Sequence, residues 1–219
     1  MIYWHAGVTA TPRTPKTLSD TLQSIRKAGW SHPEIFHDPQ RQGPYQNFLH
    51  ALWTLWHNHG STKARHMLAT TSPAYLAIFQ DDVEVTAGLR NDLESRAHAP
   101  IRNQDGVISL FTPAALSPLP SGWSSAGTVR AATYRWPISC GALAYIFPWW
   151  LAGRFLQNPP SPGVATRTDY WVAKWCDDNA VPYYVHTPSF IRHTGSVSSL
   201  DQPNSNDQWR QCGEWLPVV

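Results

Sequence analysis

Two adjacent carboxylates, Asp81 and Asp82, follow directly on the apolar run YLAIF that begins at Tyr75, with only Gln80 between. Such a run fills a buried strand, yet neighbouring carboxylates repel each other and resist leaving water. Two arrangements relieve that cost. One is a solvated turn, or the cap of a following helix, where Asp is common. The other is a divalent cation. At a strand end the chain turns, so both side chains can face one site. Hard ions such as Mg²⁺ or Mn²⁺ take one or two carboxylates and complete their shell with substrate phosphates. Local spacing leaves both arrangements open.

Three more residues have chemistry to offer. Asp38 closes the short segment EIFHD. His193 opens HTGSVSS, where small residues after a short strand would let a phosphate approach closely; the alternative for a lone histidine is a packed or surface position. Asp169, in RTDYW, stands where a helix can begin, and a first-turn aspartate is also favoured simply by the helix dipole. Asp177 and Asp178 lie late in the same segment and read as solvated surface. The other histidines, His57 and His59 included, show no paired metal-ligand spacing.

These residues need elements to hold them. Ile2 to Val8 reads as a first strand, followed by a loop rich in Thr and Pro. Thr14-Pro15 resembles a helix start; Leu18, Leu22 and Ile25 follow at helical spacing, with Gly29 at the end. Glu34 to His37 is a second strand. Tyr45 to His59 is a helix with Phe48, Leu52, Leu55 and Trp56 on one face. Further strands are expected at Tyr75 to Phe79, Val107 to Phe111, Ala142 to Phe147 and Tyr183 to Val185. Helices are expected at WWLAGRFL and after Thr168 or Asp169. Alternating strands and helices specify an α/β layer architecture, in which ligands gather at the carboxyl ends of strands. Asp38 and the Asp81-Asp82 pair both occupy such ends.

Composition narrows the class. The 219 residues are 42% hydrophobic and 15% charged, with a net charge of +2. That is ample for one buried core and is not a disordered composition. Lys and Arg are scattered, so no basic run marks a nucleic-acid or membrane patch. The three cysteines contain no C-x-x-C pair, which argues against a disulfide scaffold or structural zinc and fits a reducing compartment. No secretory pattern opens the sequence and no apolar run approaches the roughly 20 residues of a membrane helix, so a cytoplasmic protein without membrane contact is expected. The polar tail after Leu200, carrying Trp209 and Trp215, is expected to wrap over the core.

IFQDDVEVTAGLRNDL resembles the metal-binding segment of GT-A glycosyltransferases, in the Glu-Asp-Asp form of the N-acetylglucosaminyltransferase I type. Other segments resemble the family in the same order: TPRT before the first helix, FHD at the second strand, GALAYIFPWWLAGRF, and PSFIRHTGSVSS near the end. The resemblance runs from Thr9 to Ser199 and rests on this shared order. It implies a single-domain GT-A, Rossmann-like α/β fold with a mixed central sheet flanked by helices, spanning 1–219. Residues 1–111 would form the nucleotide-sugar and metal half, and 112–219 the acceptor half and tail. It also implies roles: Asp82 and His193 toward Mn²⁺ or Mg²⁺, Asp81 against the donor ribose or sugar, Arg13 and Asp38 on the nucleotide base, and Asp169 as general base. Gln80, also placed by the resemblance on the nucleotide-sugar, stands where the family form has its first acid, an amide in place of a carboxylate.

The implied activity is transfer of a sugar from a nucleoside diphosphate, UDP by resemblance, to an acceptor hydroxyl with inversion. The acceptor is a glycan, a protein or a hydroxylated DNA base. Two rival classes use similar residues. A sugar-phosphate nucleotidyltransferase would place a Gly-rich basic loop after the first strand, whereas AGVTATPRTPKT has one glycine. A non-catalytic carbohydrate- or nucleic-acid-binding module would rely on the tryptophans; Trp149-Trp150 and Trp123 could line such a groove, or an acceptor groove, by stacking.

Overall fold

The structure is a computed structural model that describes residues 2–11, 17–40, 42–60, 73–95, 100–113, 119–125, 141–160 and 168–194. Its centre is a seven-stranded mixed sheet in the order β2-β1-β3-β7-β5-β8-β6. The strands are β1 (Tyr3–Ala10), β2 (Glu34–His37), β3 (Ala74–Gln80), β5 (Val107–Ser109), β6 (Gly122–Ser125), β7 (Ala144–Pro148) and β8 (Tyr183–Thr187). A separate two-stranded ribbon pairs β4 (Val83–Val85) with β9 (Ile191–His193). The helices are α1 (Leu18–Lys27), α2 (Pro44–Gly60), α3 (Leu89–Ser95), α4 (Trp149–Gln157) and α5 (Thr168–Asp178). The α/β layering expected from the alternation is present, and the sheet is mixed with helices flanking it, as the resemblance implied.

β1, β2 and β3 run parallel, and β7 is antiparallel to both β3 and β5. β3 shows why its sequence is so continuously apolar: Tyr75 to Phe79 are buried between layers on both faces, the pattern of a central strand in an α/β sheet. One core cluster joins Val8, Ile25, Tyr75, Ala77, Phe79, Leu89 and Phe190 on the α1 face. The other joins Phe48, Leu52, Leu55, Leu76, Ile78, Phe147, Phe155, Val172 and Trp175 on the α2, α4 and α5 face. Alternate residues of β3 thus serve opposite cores, as the two-residue period of a strand requires.

The topology creates a defined crevice. From β1 the chain crosses through α1 to β2 on one side, and from β2 it crosses through α2 back to β3 on the other. Strand order therefore reverses between β1 and β3, and ligands in open α/β sheets bind outside the carboxyl ends at such a switch point. Thr11 and Asp81 are the first residues past those two ends.

The structure shifts several expected boundaries. The first helix begins after Thr17, whose side chain makes no capping hydrogen bond, and the expected start at Thr14 lies outside the described residues. β1 continues beyond Val8 to Ala10 because both neighbouring strands keep pairing with it. β5 stops its ladder at Ser109, but Leu110 still donates to the Ala144 carbonyl and accepts from the Phe190 amide. The β4–β9 ribbon, β6 and α3 went unanticipated. The proposed path of the tail after Leu200 lies outside the described residues.

Candidate functional site

The switch point is built from backbone outward. Asp81 and Asp82 make the turn between β3 and β4, and each is only 3% exposed. The turn is pinned from below by α1, whose Thr21 hydroxyl lies 3.0 Å from both the Asp81 and Val83 carbonyls. From the β1 side, the Thr11 amide donates to Asp81 Oδ2 at 3.1 Å. That bond bridges the two strand ends flanking the crevice.

Asp82 is engaged from the other side by β9. Register pairs Val83 with His193, Glu84 with Arg192 and Val85 with Ile191. An exposed Arg192–Glu84 ion pair, 2.6 Å long, closes the ribbon's outer face. The ribbon brings His193 Nε2 to 3.1 Å from Asp82 Oδ2. Thr194, 112 residues along the chain from Asp82, then donates its amide and its hydroxyl to the Asp82 carbonyl at 2.9 and 3.0 Å. Two segments singled out separately in the sequence thus meet at one spot.

A carboxylate oxygen and an imidazole nitrogen 3.1 Å apart can be a hydrogen-bonded pair. The same spacing suits two adjacent ligands of one octahedral ion, which at metal–ligand distances near 2.1 Å lie about 3.0 Å apart. The pair therefore fits a divalent cation in donor type and spacing. Among the described residues no group of three His, Cys, Asp or Glu assembles into a fuller metal site. Substrate oxygens and water commonly complete the shell of Mg²⁺.

The other expected residues are placed as follows. Gln80 ends β3 beside Thr9 of β1, and its backbone N–H donates to the Leu143 carbonyl at 2.8 Å. Asp38 follows β2 on the same edge, its amide bonded to the Ala10 carbonyl. Its carboxylate organises the approach to α2, where Oδ1 accepts from the Gln42 amide and Oδ2 from the Gly43 amide, both at 2.9 Å. Arg13 lies outside the described residues. Asp169 is 4% exposed in the first turn of α5. β8 runs parallel to β5 and hence to β3, so α5, which leads down into β8, begins at the same edge as the carboxylate pair. Its first turn meets the start of α2, with the rings of Trp171 and Tyr45 6.3 Å apart. The edge therefore carries Asp81, Asp82 and His193 together, Asp38 on the neighbouring loop, and Asp169 in the layer of α2.

No protein-family model matches the chain, and no curated protein matches it. Among solved structures it is similar to a glycosyltransferase involved in the glycosylation of the major capsid of PBCV-1. That likeness has a TM-score of 0.46 at 11% identity, over 89% of this chain and 94% of that one. It is also similar to A197 from STIV, with a TM-score of 0.41 at 12% identity, over 88% and 86% of the two chains.

Of the tryptophans considered for an acceptor groove, Trp149 and Trp150 fall elsewhere. Pro148 at the end of β7 pairs with Tyr75 near the start of β3, so Trp149 and Trp150 sit at the edge opposite the carboxylates. Trp149 stacks on Trp56, and Trp150, though exposed, donates to the Gln104 carbonyl at 2.9 Å. Trp123, in β6, pairs with His186 near the carboxyl end of β8, hence on the edge that holds the carboxylates, and packs on His186 and Phe190. Tyr170 and Trp171 also lie at the carboxylate edge, partly exposed beside Asp169 with rings 5.0 Å apart, and the sequence pattern had not separated them from core aromatics. No helix among the described residues is long and apolar enough to cross a membrane.

Proposed function

We propose that this chain is a metal-dependent glycosyltransferase. It would move a sugar from a UDP-linked donor to an acceptor hydroxyl with inversion. The observation that supports this most is the convergence of Asp82 and His193, 3.1 Å apart, at the topological switch point of a mixed α/β sheet. Burial of both Asp81 and Asp82 there is costly for folding alone, and a site that needs negative charge accounts for it.

In this scheme Asp82 and His193 hold Mn²⁺ or Mg²⁺. When bound, the ion offsets the charge that develops on the departing diphosphate. Asp81, steadied by the Thr11 amide, contacts the donor ribose or sugar. Arg13 and Asp38 approach the nucleotide base, Asp38 through lone pairs beyond the two that cap its loop, and Gln80 offers an amide to the sugar. Asp169 accepts the proton of the acceptor hydroxyl as its oxygen bonds to the anomeric carbon. The sugar–phosphate bond breaks on the opposite side, and its electron pair leaves with the nucleoside diphosphate.

The test is a panel of nucleoside-diphosphate sugars assayed for nucleotide release, with and without chelator. The wild type should release nucleotide from UDP donors in a chelator-sensitive way, and Asp82→Ala should not. Asp169→Asn should bind donor normally while transfer falls to background. Release that is indifferent to both chelator and Asp82→Ala would sink the assignment.

A further inference from the structure

The first turn of α5 holds a second polar side chain that the scheme above leaves unused. Thr168 is 3% exposed, as enclosed as Asp169 beside it. Its hydroxyl has no hydrogen-bond partner among the described residues. A buried hydroxyl without a partner costs stability, and native structures rarely keep one without a reason. Valine would fill nearly the same volume at no such cost. Thr168 is also the first residue of an eleven-residue helix, whose leading amides are not consumed by the helix itself.

We propose that Thr168 is an acceptor-binding residue, and that the acceptor carries two neighbouring hydroxyls, as a sugar ring does. This rests on the glycosyltransferase assignment. Asp169 takes the reacting hydroxyl; Thr168 Oγ1 pairs with the hydroxyl on the adjacent carbon. A hydroxyl suits that partner because each can both donate and accept. An acceptor with one isolated hydroxyl, such as a serine side chain or a hydroxymethylated base, would satisfy Asp169 and leave Thr168 buried and unpaired. A site made to bond a substrate hydroxyl rejects analogues lacking it far more strongly than an apolar pocket does. Tyr170 and Trp171, next in the turn and partly exposed, add aromatic surface of the kind that the less polar face of a sugar ring packs on.

The experiment uses the full chain, UDP-glucose, UDP-galactose and UDP-N-acetylglucosamine as donors, and methyl glycosides of glucose, galactose and mannose as acceptor probes. Thr168→Val should raise the acceptor KM at least about tenfold, the scale of one lost hydrogen bond, with donor KM unchanged. Thr168→Ser should restore it. A deoxy probe lacking the hydroxyl next to the accepting one should lose the same factor on wild type and nothing further on Thr168→Val. The urea midpoint of Thr168→Val should equal or exceed that of wild type, because no bond within the protein is lost. A lowered midpoint with unchanged acceptor KM makes the hydroxyl structural and overturns the proposal. So does a wild type that transfers to glycosides with Thr168→Val its equal, and so does donor hydrolysis that no glycoside accelerates; in both cases the glycosyltransferase assignment stands. A wild type that cleaves no donor defeats that assignment and this proposal together.

Discussion

Asp82→Asn separates a cation site from a structural ion pair, because the two make opposite demands on stability. The substitution keeps the side chain's size and removes its charge. In the ligand-free protein it takes one of two adjacent buried carboxylates away and weakens one 3.1 Å contact to His193. Relief of repulsion and loss of attraction oppose each other, so the expected net change is within about 1 kcal/mol. A buried pair kept purely for stability would instead cost about 3–5 kcal/mol on losing one partner. With ligand the order reverses. At 100 times its dissociation constant, UDP with Mn²⁺ stabilises the wild type by about 2.7 kcal/mol. For a chain of this length that is a rise in Tm of about 5–11 °C. Asp82 is one of two protein ligands in the proposed set. If its loss weakens binding about a hundredfold, the same ligand concentration gives RT ln 2, about 0.4 kcal/mol or 1–2 °C. Differential scanning fluorimetry with UDP, with Mn²⁺ and with both reads this directly. His193→Ala should behave alike. A fall of several degrees without ligand, together with an undiminished rise with UDP and Mn²⁺, would refute the cation site and leave a structural pair.

Stability should also fall in alkali. Burial pushes the Cys176 thiol and the Tyr45 and Tyr75 hydroxyls well above their ordinary values, with Asp105 adding to the effect at Tyr75. Raised folded values mean the contribution is whole below the unfolded values, about 8.5 for the thiol and about 10 for the phenols, and is lost as pH climbs toward the folded ones. Past pH 10 the three groups together should cost about 4 kcal/mol per pH unit, seen as a falling urea midpoint; Tyr45→Phe should remove about a third of that slope, and a midpoint flat to pH 11 contradicts it. Gly106→Ala should destabilise by about 2–3 kcal/mol or more, since its Cβ would stand 2.4 Å from the Pro182 carbonyl oxygen and 2.7 Å from Tyr184 Cε2; a Tm within about 2 °C of wild type would show that the β5–β8 join yields easily. Asp38→Ala should cost about 1–2 kcal/mol in the absence of ligand, by stranding the Gln42 and Gly43 amides, and Asp38→Asn should recover part of it.

What the sequence disclosed was local, and what it withheld was direction and pairing. The apolar run of β3, the facial periodicity of α2 and the acids at strand ends are properties of a few consecutive residues, so they survive without any knowledge of neighbours. The β4–β9 ribbon does not. Each strand has three residues, too few to show alternation, and Arg192 and Glu84 that face each other across it are 108 residues apart. Asp38 illustrates a subtler limit. Its place at a strand end was visible, but a carboxylate capping a loop and one contacting a ligand have the same sequence signature until the Gln42 and Gly43 amides are located. Direction mattered most for the aromatic residues. Trp149 and Trp150 sit as temptingly in the sequence as Tyr170 and Trp171, each pair at the head of a helix. β7 runs antiparallel to β3, which carries Trp149 and Trp150 to the far edge of the sheet. α5 descends into a strand parallel to β3, which leaves Tyr170 and Trp171 on the edge that holds the carboxylates. An acceptor bound at Asp169, as proposed, would lie on the edge of the second pair and not of the first, so Trp171→Ala should raise acceptor KM while Trp150→Ala leaves it untouched.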